Sequence, residues 1–275
     1  MRTTLSAAPR RTRRRAAVGV LVAVLGASGC GVGDPAASPP VQPAAPEVVE
    51  LTVGGQPAVA VVPDVEELSG LVLYVHGAGE DAGSLQAGDD QARVTARLTS
   101  DGYVVAASDA HLDAFGNAAS QQDYVDLAAE LTRRYGTTRT FLLAESMGGV
   151  AGLQLLAGDR IPGLLGMAAI SPLVDLDVIV GTDYETPVRR AWGGRLPTGT
   201  ENPAELPAEA FAGTSMRFYL AAEDELVVSA QNADPLVSRL QEVADVSVVA
   251  CEGGHIDPSC FQPDDLADWF GGLAG

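Results

Sequence analysis

Lysine is absent from this chain of 275 residues, and arginine supplies all 17 of its basic side chains. Asp and Glu together number 36, which gives a formal net charge of −19 at pH 7. A surface of this sign repels the phosphates of nucleic acids and the headgroups of anionic lipids. The composition therefore excludes DNA and RNA as partners. It favours solubility but does not indicate a ligand.

Aromatic side chains and metal-binding patterns are also scarce. Aromatic residues make up 5% of the chain, so a long cleft for stacking against sugars is not predicted. The histidines and acids do not show the spacing of a metal site, and Gly77-Ala78-Gly79 lacks the spacing of a dinucleotide or phosphate loop. We therefore expect no metal and no other cofactor.

The N-terminal segment has the three-part pattern of an export signal. Residues 1–15 carry six arginines and no acid, residues 16–25 are apolar but too few for a membrane span, and small residues lead to Cys30. We predict a signal peptide over residues 1–29. Cys30 resembles the cysteine of a lipobox, which predicts a lipid anchor at this residue. The alternative is a secreted protein that is cleaved near the same place.

A segment rich in Pro, Ala and Ser follows at residues 30–46 and predicts a flexible tether. The remaining residues, 47–275, are enough for one large domain. Without the signal, 11 arginines remain against 36 acids, a formal charge of about −25. We expect the domain outside the cytoplasm, either secreted or held at the cell membrane only through the lipid anchor. The oligomeric state stays open.

Two short β-rich runs at residues 48–53 and 58–62 are separated by two glycines, which predicts an antiparallel hairpin at a sheet edge. Downstream, apolar runs alternate with segments of helical spacing, and this alternation predicts an α/β fold: a mostly parallel sheet with helices on both faces. Residues 175–213 hold four prolines and little periodicity, so we predict a small cap inserted above the sheet. The predicted strands are 71–75, 103–107, 140–144, 164–170, 216–222 and 246–250, and the predicted helices are 84–99, 123–135, 150–156, 230–243 and 263–270.

Ser146 lies between the predicted strand 140–144 and an apolar segment of helical spacing. This layout is typical of a nucleophile elbow, in which a tight turn between strand and helix lifts one hydroxyl above the sheet. The turn needs small residues two positions away on each side, and Ala144 and Gly148 supply them. The short pattern is common, so the rest of the chain must support a nucleophilic serine.

Two further groups follow predicted strands and complete a chemical set. Asp224 and His255 come after the last two strands, and the carboxyl ends of parallel strands meet at one edge of a sheet. A serine hydroxyl needs a base to take its proton, and the base needs an acid to orient it. We predict that His255 is the base for Ser146 and that Asp224 is the acid, with Glu223 or Glu225 as the alternative.

Acyl transfer also needs N–H donors for the oxyanion that develops during attack. Met147 N–H lies at the start of the elbow helix, where the helix dipole favours negative charge. We expect the second donor in the loop after strand 71–75, from Ala78 N–H, with Gly79 N–H as the alternative. His76, directly after that strand, is expected to brace the loop.

The order of Ser, Asp and His along the chain resembles that of α/β-hydrolases and differs from other serine-hydrolase folds. From about residue 48 to the C-terminus the chain resembles serine esterases, lipases and related peptidases of this superfamily, and it is similar to exported actinobacterial α/β-hydrolase lipoproteins. The departures are alanine for the first elbow glycine and the lack of a full His-Gly-Gly-Gly loop. The resemblance rests on His76-Gly77-Ala78-Gly79, Ala144-Glu145-Ser146-Met147-Gly148-Gly149, Asp224 and Gly254-His255-Ile256-Asp257-Pro258-Ser259.

The resemblance implies a serine hydrolase that cleaves a small-molecule or lipid carboxylic ester through an acyl-enzyme on Ser146. A peptidase or another acyl transfer on the same triad is the alternative, since the fold and triad do not fix the leaving group. A non-catalytic binding protein with a hydrolase fold is a third hypothesis. Tyr184 and Trp192 in the cap are candidates for the pocket wall. His111 is expected in a loop or pocket wall, and Asp109 is expected to be structural.

Cys251 and Cys260 bracket His255. With Cys30 assigned to the lipid, an even pair of cysteines remains in an oxidising compartment, so we predict a disulfide between them. The alternative is two free buried thiols. A disulfide here would hold the histidine loop in register above the serine.

Overall fold

A computed structural model of the chain describes residues 45–275. The predicted signal peptide, Cys30 and nearly all of the predicted tether lie outside the described residues. Within residues 45–275, no helix is long and apolar enough to cross a membrane.

The described chain contains eight strands and seven α-helices, together with short 3₁₀ turns. The elements, in chain order, are β1 (Glu47–Val53), β2 (Gln56–Val62), β3 (Gly70–Val75), α1 (Ser84–Ala87), α2 (Asp89–Ser100), β4 (Tyr103–Ser108), α3 (Ala118–Tyr135), β5 (Thr140–Glu145), α4 (Gly148–Gly158), β6 (Leu164–Ile170), α5 (Glu185–Ala191), β7 (Ser215–Ala221), α6 (Ala233–Leu240), β8 (Asp245–Cys251) and α7 (Pro263–Ala274).

All eight strands form one sheet in the order β1-β2-β4-β3-β5-β6-β7-β8. β1 and β2 form an antiparallel hairpin at one edge, β2 pairs antiparallel with β4, and every later pairing is parallel. The fold predicted from the sequence is confirmed: the molecule is an α/β protein with a mostly parallel sheet and an N-terminal hairpin. The parallel order brings the carboxyl ends of β3, β5, β7 and β8 to the same edge.

Helices cover both faces of the sheet, as predicted. Leu71, Leu73 and Val75 of β3 belong to the apolar core that also contains buried residues of α3, α4 and α6. Val72 and Tyr74 point to the opposite core, which contains buried residues of α2 and α7. Because β3 is buried on both faces, its sequence is a continuous apolar run rather than an alternating one.

Several element boundaries differ from the predicted ones. The single helix predicted over residues 84–99 is two helices, because Gly88 adopts an extended backbone between α1 and α2. α3 begins at Ala118, five residues earlier than predicted, because the Asn117 side chain accepts the Ser120 N–H and caps the helix. α6 is shorter than the predicted helix 230–243 and follows a separate 3₁₀ turn.

The predicted cap, residues 175–213, contains α5 and four short 3₁₀ helices. It packs on the elbow through an apolar cluster that includes Ile179 and Val188 from the cap and Met147 from the elbow. Trp192 Nε1 donates a hydrogen bond to the Phe115 carbonyl oxygen at 3.1 Å. The insert is therefore joined to the loop between β4 and α3 as well as to the elbow.

Candidate active site

The turn between β5 and α4 places Ser146 at the carboxyl edge of the sheet. Its φ is +46°, in the left-handed region that few residues other than glycine adopt. Ser146 N–H donates to the Ile170 carbonyl at 3.0 Å, and the Ser146 carbonyl accepts the Gly149 N–H at 2.9 Å. A Cβ at Gly148 would overlap the Val75 carbonyl oxygen, so this position requires glycine. The local sequence therefore folds as a strand–turn–helix elbow.

The structure brings Ser146, His255 and Asp224 together in one hydrogen-bonded line. The distance from Ser146 Oγ to His255 Nε2 is 2.8 Å, and that from His255 Nδ1 to Asp224 Oδ2 is 2.7 Å. The second oxygen of Asp224 accepts the N–H groups of Leu226 and Val227 at 3.0 and 2.8 Å. Both oxygens of this buried carboxylate thus accept hydrogen bonds, one from the histidine and the other from its own turn.

The environment keeps Asp224 ionised. Burial by itself acts to raise the pKa of Asp224, but the hydrogen bond from His255 and those from the two N–H groups outweigh burial and lower the pKa below its usual value. The alternative acids, Glu223 and Glu225, are exposed, whereas Asp224 is buried. The acid that contacts the histidine is therefore the middle one of the three.

A disulfide closes the loop that carries His255. It joins Cys251, the last residue of β8, to Cys260, and their Cα atoms lie 5.2 Å apart. Both cysteines are buried, and Ser259 Oγ accepts the Glu252 N–H at 2.9 Å within the same loop. The histidine is thus carried by a short covalent loop fixed to the end of a strand.

The backbone N–H groups of Ala78 and of Met147, which directly follows Ser146, make no hydrogen bond to residues 45–275. Both residues line the same cavity as Ser146. The alternative donor, Gly79, is exposed, and its N–H donates to Asp113 Oδ1 at 2.7 Å. Of the two candidates in this loop, Ala78 is therefore the one with an available N–H.

The cavity above Ser146 has a volume of about 370 Å³, including space open to solvent, and none of its lining residues is charged. The cap contributes Ile179, Thr182 and Tyr184, so Tyr184 lies at the pocket wall as expected. Trp192 does not line this cavity and instead anchors the cap. The remaining wall comes from loops that the sequence did not single out: Phe115, Leu173, Leu226 and Val227.

The other histidines have structural contacts. His76 is buried, and its two ring nitrogens face the carbonyl oxygens of Gly77 at 2.8 Å and Asp109 at 3.1 Å, which is the bracing role expected for it. His111 lies in a loop beside Gln56 and Asp123, and it does not line the cavity. Asp109 Oδ1 accepts the Ala82 N–H at 3.0 Å, which ties the β4 end to the loop after β3.

Comparisons with known proteins agree with this architecture. The model of the family described as serine aminopeptidase, S33, matches residues 66–246. No match was found among curated proteins.

Solved structures of similar fold include protein TT1662 from Thermus thermophilus, with 18% identity and a TM-score of 0.60 over 83% of this chain and 98% of the other. An esterase from Pyrococcus furiosus has 15% identity and a TM-score of 0.61, covering 83% of this chain and 91% of the other. The fluorophosphonate-binding serine hydrolase F of Staphylococcus aureus has 13% identity and a TM-score of 0.64, covering 84% of this chain and all of the other (100%). At these identities the likeness shows the fold alone.

The family model spans well over half of the chain and includes β3, the elbow, the cap and Asp224. The sheet order and the elbow agree with an α/β-hydrolase independently of that match. This chain therefore belongs to the S33 serine aminopeptidase family of the α/β-hydrolase superfamily.

Proposed function

We propose that the protein is a serine hydrolase that cleaves carboxylic esters through an acyl-enzyme on Ser146. The observation that carries the proposal is the line of hydrogen bonds from Ser146 through His255 to Asp224 at the floor of an uncharged cavity. Membership of a hydrolase family and likeness to esterase folds support it.

In the proposed reaction, His255 Nε2 takes the Ser146 proton as Oγ attacks the ester carbonyl. Asp224 holds the other ring nitrogen protonated and stabilises the imidazolium that forms. Met147 N–H and Ala78 N–H donate to the oxyanion, and one such donor is typically worth about 3–4 kcal/mol of transition-state stabilisation. His255 then returns its proton to the departing alkoxide. A water molecule, activated by the same base, releases the acid and restores the serine.

The cavity favours an ester over the substrate of an aminopeptidase. An aminopeptidase must hold the charged α-amino group of its substrate, and a buried ammonium group needs a carboxylate partner. No residue that lines this cavity is charged, and its wall is largely apolar. We infer that the acyl group of the substrate is uncharged and apolar. Peptide cleavage stays the alternative, because the matching family is described as an aminopeptidase family.

A fluorophosphonate probe tests the nucleophile directly. The wild type should be labelled, and Ser146→Ala should lose labelling while it keeps its thermal midpoint within a few degrees. Ser171→Ala is a matched control, because Ser171 is a buried serine at the end of β6 that also has a positive φ. Unchanged labelling of Ser146→Ala would refute the assignment, and no labelling of folded wild type would favour a non-catalytic binding protein.

A substrate series separates ester from peptide chemistry. We expect measurable kcat/KM on p-nitrophenyl esters from acetate to octanoate, and much lower values on aminoacyl p-nitroanilides with a free amino group. Esters of succinate, which carry a charged acyl end, should be poorer substrates than butyrate esters. Preference for the aminoacyl substrates would reverse the proposal in favour of an aminopeptidase.

We also propose that the protein is exported, with Cys30 as the site of a lipid anchor or with the signal simply cleaved. The sequence pattern of residues 1–30 and the disulfide in the domain support this location. Cell fractionation with a Cys30→Ser variant tests the anchor. Wild type should partition with membranes and the variant should be released into the medium, whereas equal release of both proteins would indicate a cleaved, soluble form.

A further inference from the structure

A group of polar side chains adjoins the loop that carries Ala78, and none of its members lines the cavity above Ser146. Tyr74 of β3 and Glu145 of β5 are both almost fully buried, with 2% and 3% of their surface exposed. The Tyr74 hydroxyl lies within hydrogen-bonding distance of a carboxyl oxygen of Glu145 and 3.1 Å from one of Glu80. Gln91 of α2 donates to Glu145 at 3.0 Å and to Glu80 at 3.3 Å. The carboxyl groups of Glu80 and Glu145 thus form hydrogen bonds to the same two neutral side chains.

This group is joined directly to the backbone of the loop. Glu80 Oε2 accepts the Gly77 N–H at 2.8 Å. The Cα of Gly77 faces both acids, because a Cβ built there would lie 3.4 Å from Glu145 Oε1 and 3.5 Å from Glu80 Oε2. Gly77 immediately precedes Ala78, whose N–H has no acceptor among the described residues and lies beside the cavity. The orientation of that N–H therefore depends on how firmly Glu80 holds Gly77.

Two facing carboxylates in a buried site cannot both be charged without a large cost. Burial first, and then repulsion from Glu80, raises the pKa of Glu145 to about 7, although hydrogen bonds from Tyr74 and Gln91 oppose this. Asp90 of α2 also favours the protonated form of Glu145, and none of the groups with the largest influence on its pKa is a cation.

We propose that Glu145 is a positioning residue for the Ala78 donor. As a neutral acid, Glu145 donates its proton to the Tyr74 oxygen. The Tyr74 hydroxyl then donates to Glu80, which accepts the Gly77 N–H. Each proton in this line has one acceptor, so the loop has one preferred arrangement. The inference rests on the proposed function, since it concerns the donor that the ester reaction would use.

Ionisation of Glu145 removes this single arrangement. Tyr74 has one hydroxyl proton, and it must then be divided between two carboxylates that repel each other. Glu80 is the more exposed acid and the one attached to the loop, so its displacement loosens Gly77 and with it the Ala78 N–H. Activity is therefore expected to fall as the pH rises above neutrality.

The experiment compares the pH profiles of kcat/KM for wild type and Glu145→Gln on a p-nitrophenyl ester, with Glu242→Gln as the control for removing one exposed acid. Wild type and Glu242→Gln should lose roughly tenfold between pH 7 and pH 9, a part of the 10²–10³-fold that removal of a whole oxyanion donor costs. Glu145→Gln should keep its pH 7 activity within about threefold and lose less than twofold at pH 9, because an amide can donate to Tyr74 at every pH. Identical profiles for wild type and Glu145→Gln would overturn the proposal.

A second readout does not depend on hydrolysis and separates this inference from the proposed function. A carboxyl group whose pKa is raised in the folded state destabilises the fold as the pH rises from its unfolded pKa to its folded pKa. The urea midpoint of wild type should therefore fall between about pH 4.5 and pH 7 relative to that of Glu145→Gln, and the difference should then stay constant. A difference that does not change with pH would contradict the buried neutral acid, whatever the substrate.

Tyr74→Phe provides the test if Glu145→Gln fails to fold, since it removes only one oxygen atom. It should lower kcat at pH 7 with little change in KM, because the Ala78 donor acts in the transition state. Unchanged kcat in folded Tyr74→Phe would also contradict the proposed line of hydrogen bonds from Glu145 through Tyr74 to Glu80.

Discussion

The two sides of Ser146 are held in different ways. On the acid–base side, Asp224 and His255 lie at the ends of β7 and β8, and a disulfide closes the loop that carries the histidine. On the oxyanion side, carboxylates hold the backbone of the loop after β3: Glu80 accepts the Gly77 N–H and Asp113 accepts the Gly79 N–H. Glu145 acts on Glu80 through their shared partners, Tyr74 and Gln91. One side is fixed by strand ends and a covalent bond, and the other by ionisable groups.

This difference predicts which side of the site changes with pH. A hydrogen bond to a well-ionised buried aspartate and a disulfide change little between neutral and mildly alkaline pH. A pair of carboxyl groups that share one proton changes its charge in that range. We therefore expect the oxyanion side to set the alkaline limit of activity and the acid–base side to set the absolute rate.

The largest expected effect is that of Asp224→Asn, which breaks the acid–base side while preserving its shape. The amide would favour the wrong tautomer of His255, so kcat should fall about 10⁴-fold with little change in KM. Steady-state kinetics on the preferred ester measures this. Glu225→Gln is the matched control, because Glu225 is an exposed neighbour, and it should stay within twofold of wild type. Comparable losses in both variants would mean that the acid had been misassigned.

Removal of the disulfide should have an intermediate effect. In Cys251→Ser/Cys260→Ser the unfolded chain gains the freedom of a loop with a sequence separation of 9 residues. The free energy of unfolding should fall by about 2–3 kcal/mol, with a smaller decrease in kcat as His255 loses its fixed position. Urea denaturation followed by circular dichroism measures the first quantity. Reduced wild type should show the same loss, and an unchanged midpoint in both would contradict a structural bridge.

The smallest expected effect is that of Asp113→Asn on the oxyanion side. The amide oxygen still accepts the Gly79 N–H, but without the strength that a charged acceptor adds, so we expect a loss of about 1 kcal/mol of transition-state stabilisation. This corresponds to a decrease in kcat of about fivefold with KM unchanged. Asp268→Asn, at an exposed position of α7, controls for the change in surface charge. A larger decrease in kcat than in Asp224→Asn would contradict the expectation that the acid–base side sets the absolute rate.

The same contrast explains what could be predicted from the sequence. The strands, the elbow and the contacts of Ser146, Asp224 and His255 follow from local patterns, because each group lies in the turn that follows an apolar run. The parallel sheet then brings strand ends together without further information. Glu223 and Glu225 stayed open as alternatives only because burial at this turn depends on packing that no local pattern records.

The oxyanion side was only partly predictable. In the sequence, Glu145 is only one residue of the elbow motif and Tyr74 only one residue of an apolar strand, whereas in the structure their contacts join β3, β5 and α2. A signal was present: an acid directly follows the apolar run 140–144 and, in a strand buried along its whole length, needs either a partner or a proton. Phe115 was missed for another reason, since it follows β4 in a loop with no apolar periodicity.

The hydrogen bonds between the cap and the start of α3 matter for any attempt to change the substrate preference of the protein. The Asn117 side chain donates to the Ala191 carbonyl oxygen at 2.9 Å, and Trp192 donates to the Phe115 carbonyl oxygen. These contacts fasten the end of α5 to the loop that supplies the pocket wall. Residues 175–190 also contribute Ile179 and Val188 to the apolar cluster that contains Met147 of the elbow. An insert grafted here to change acyl preference must therefore keep both hydrogen bonds and these apolar contacts.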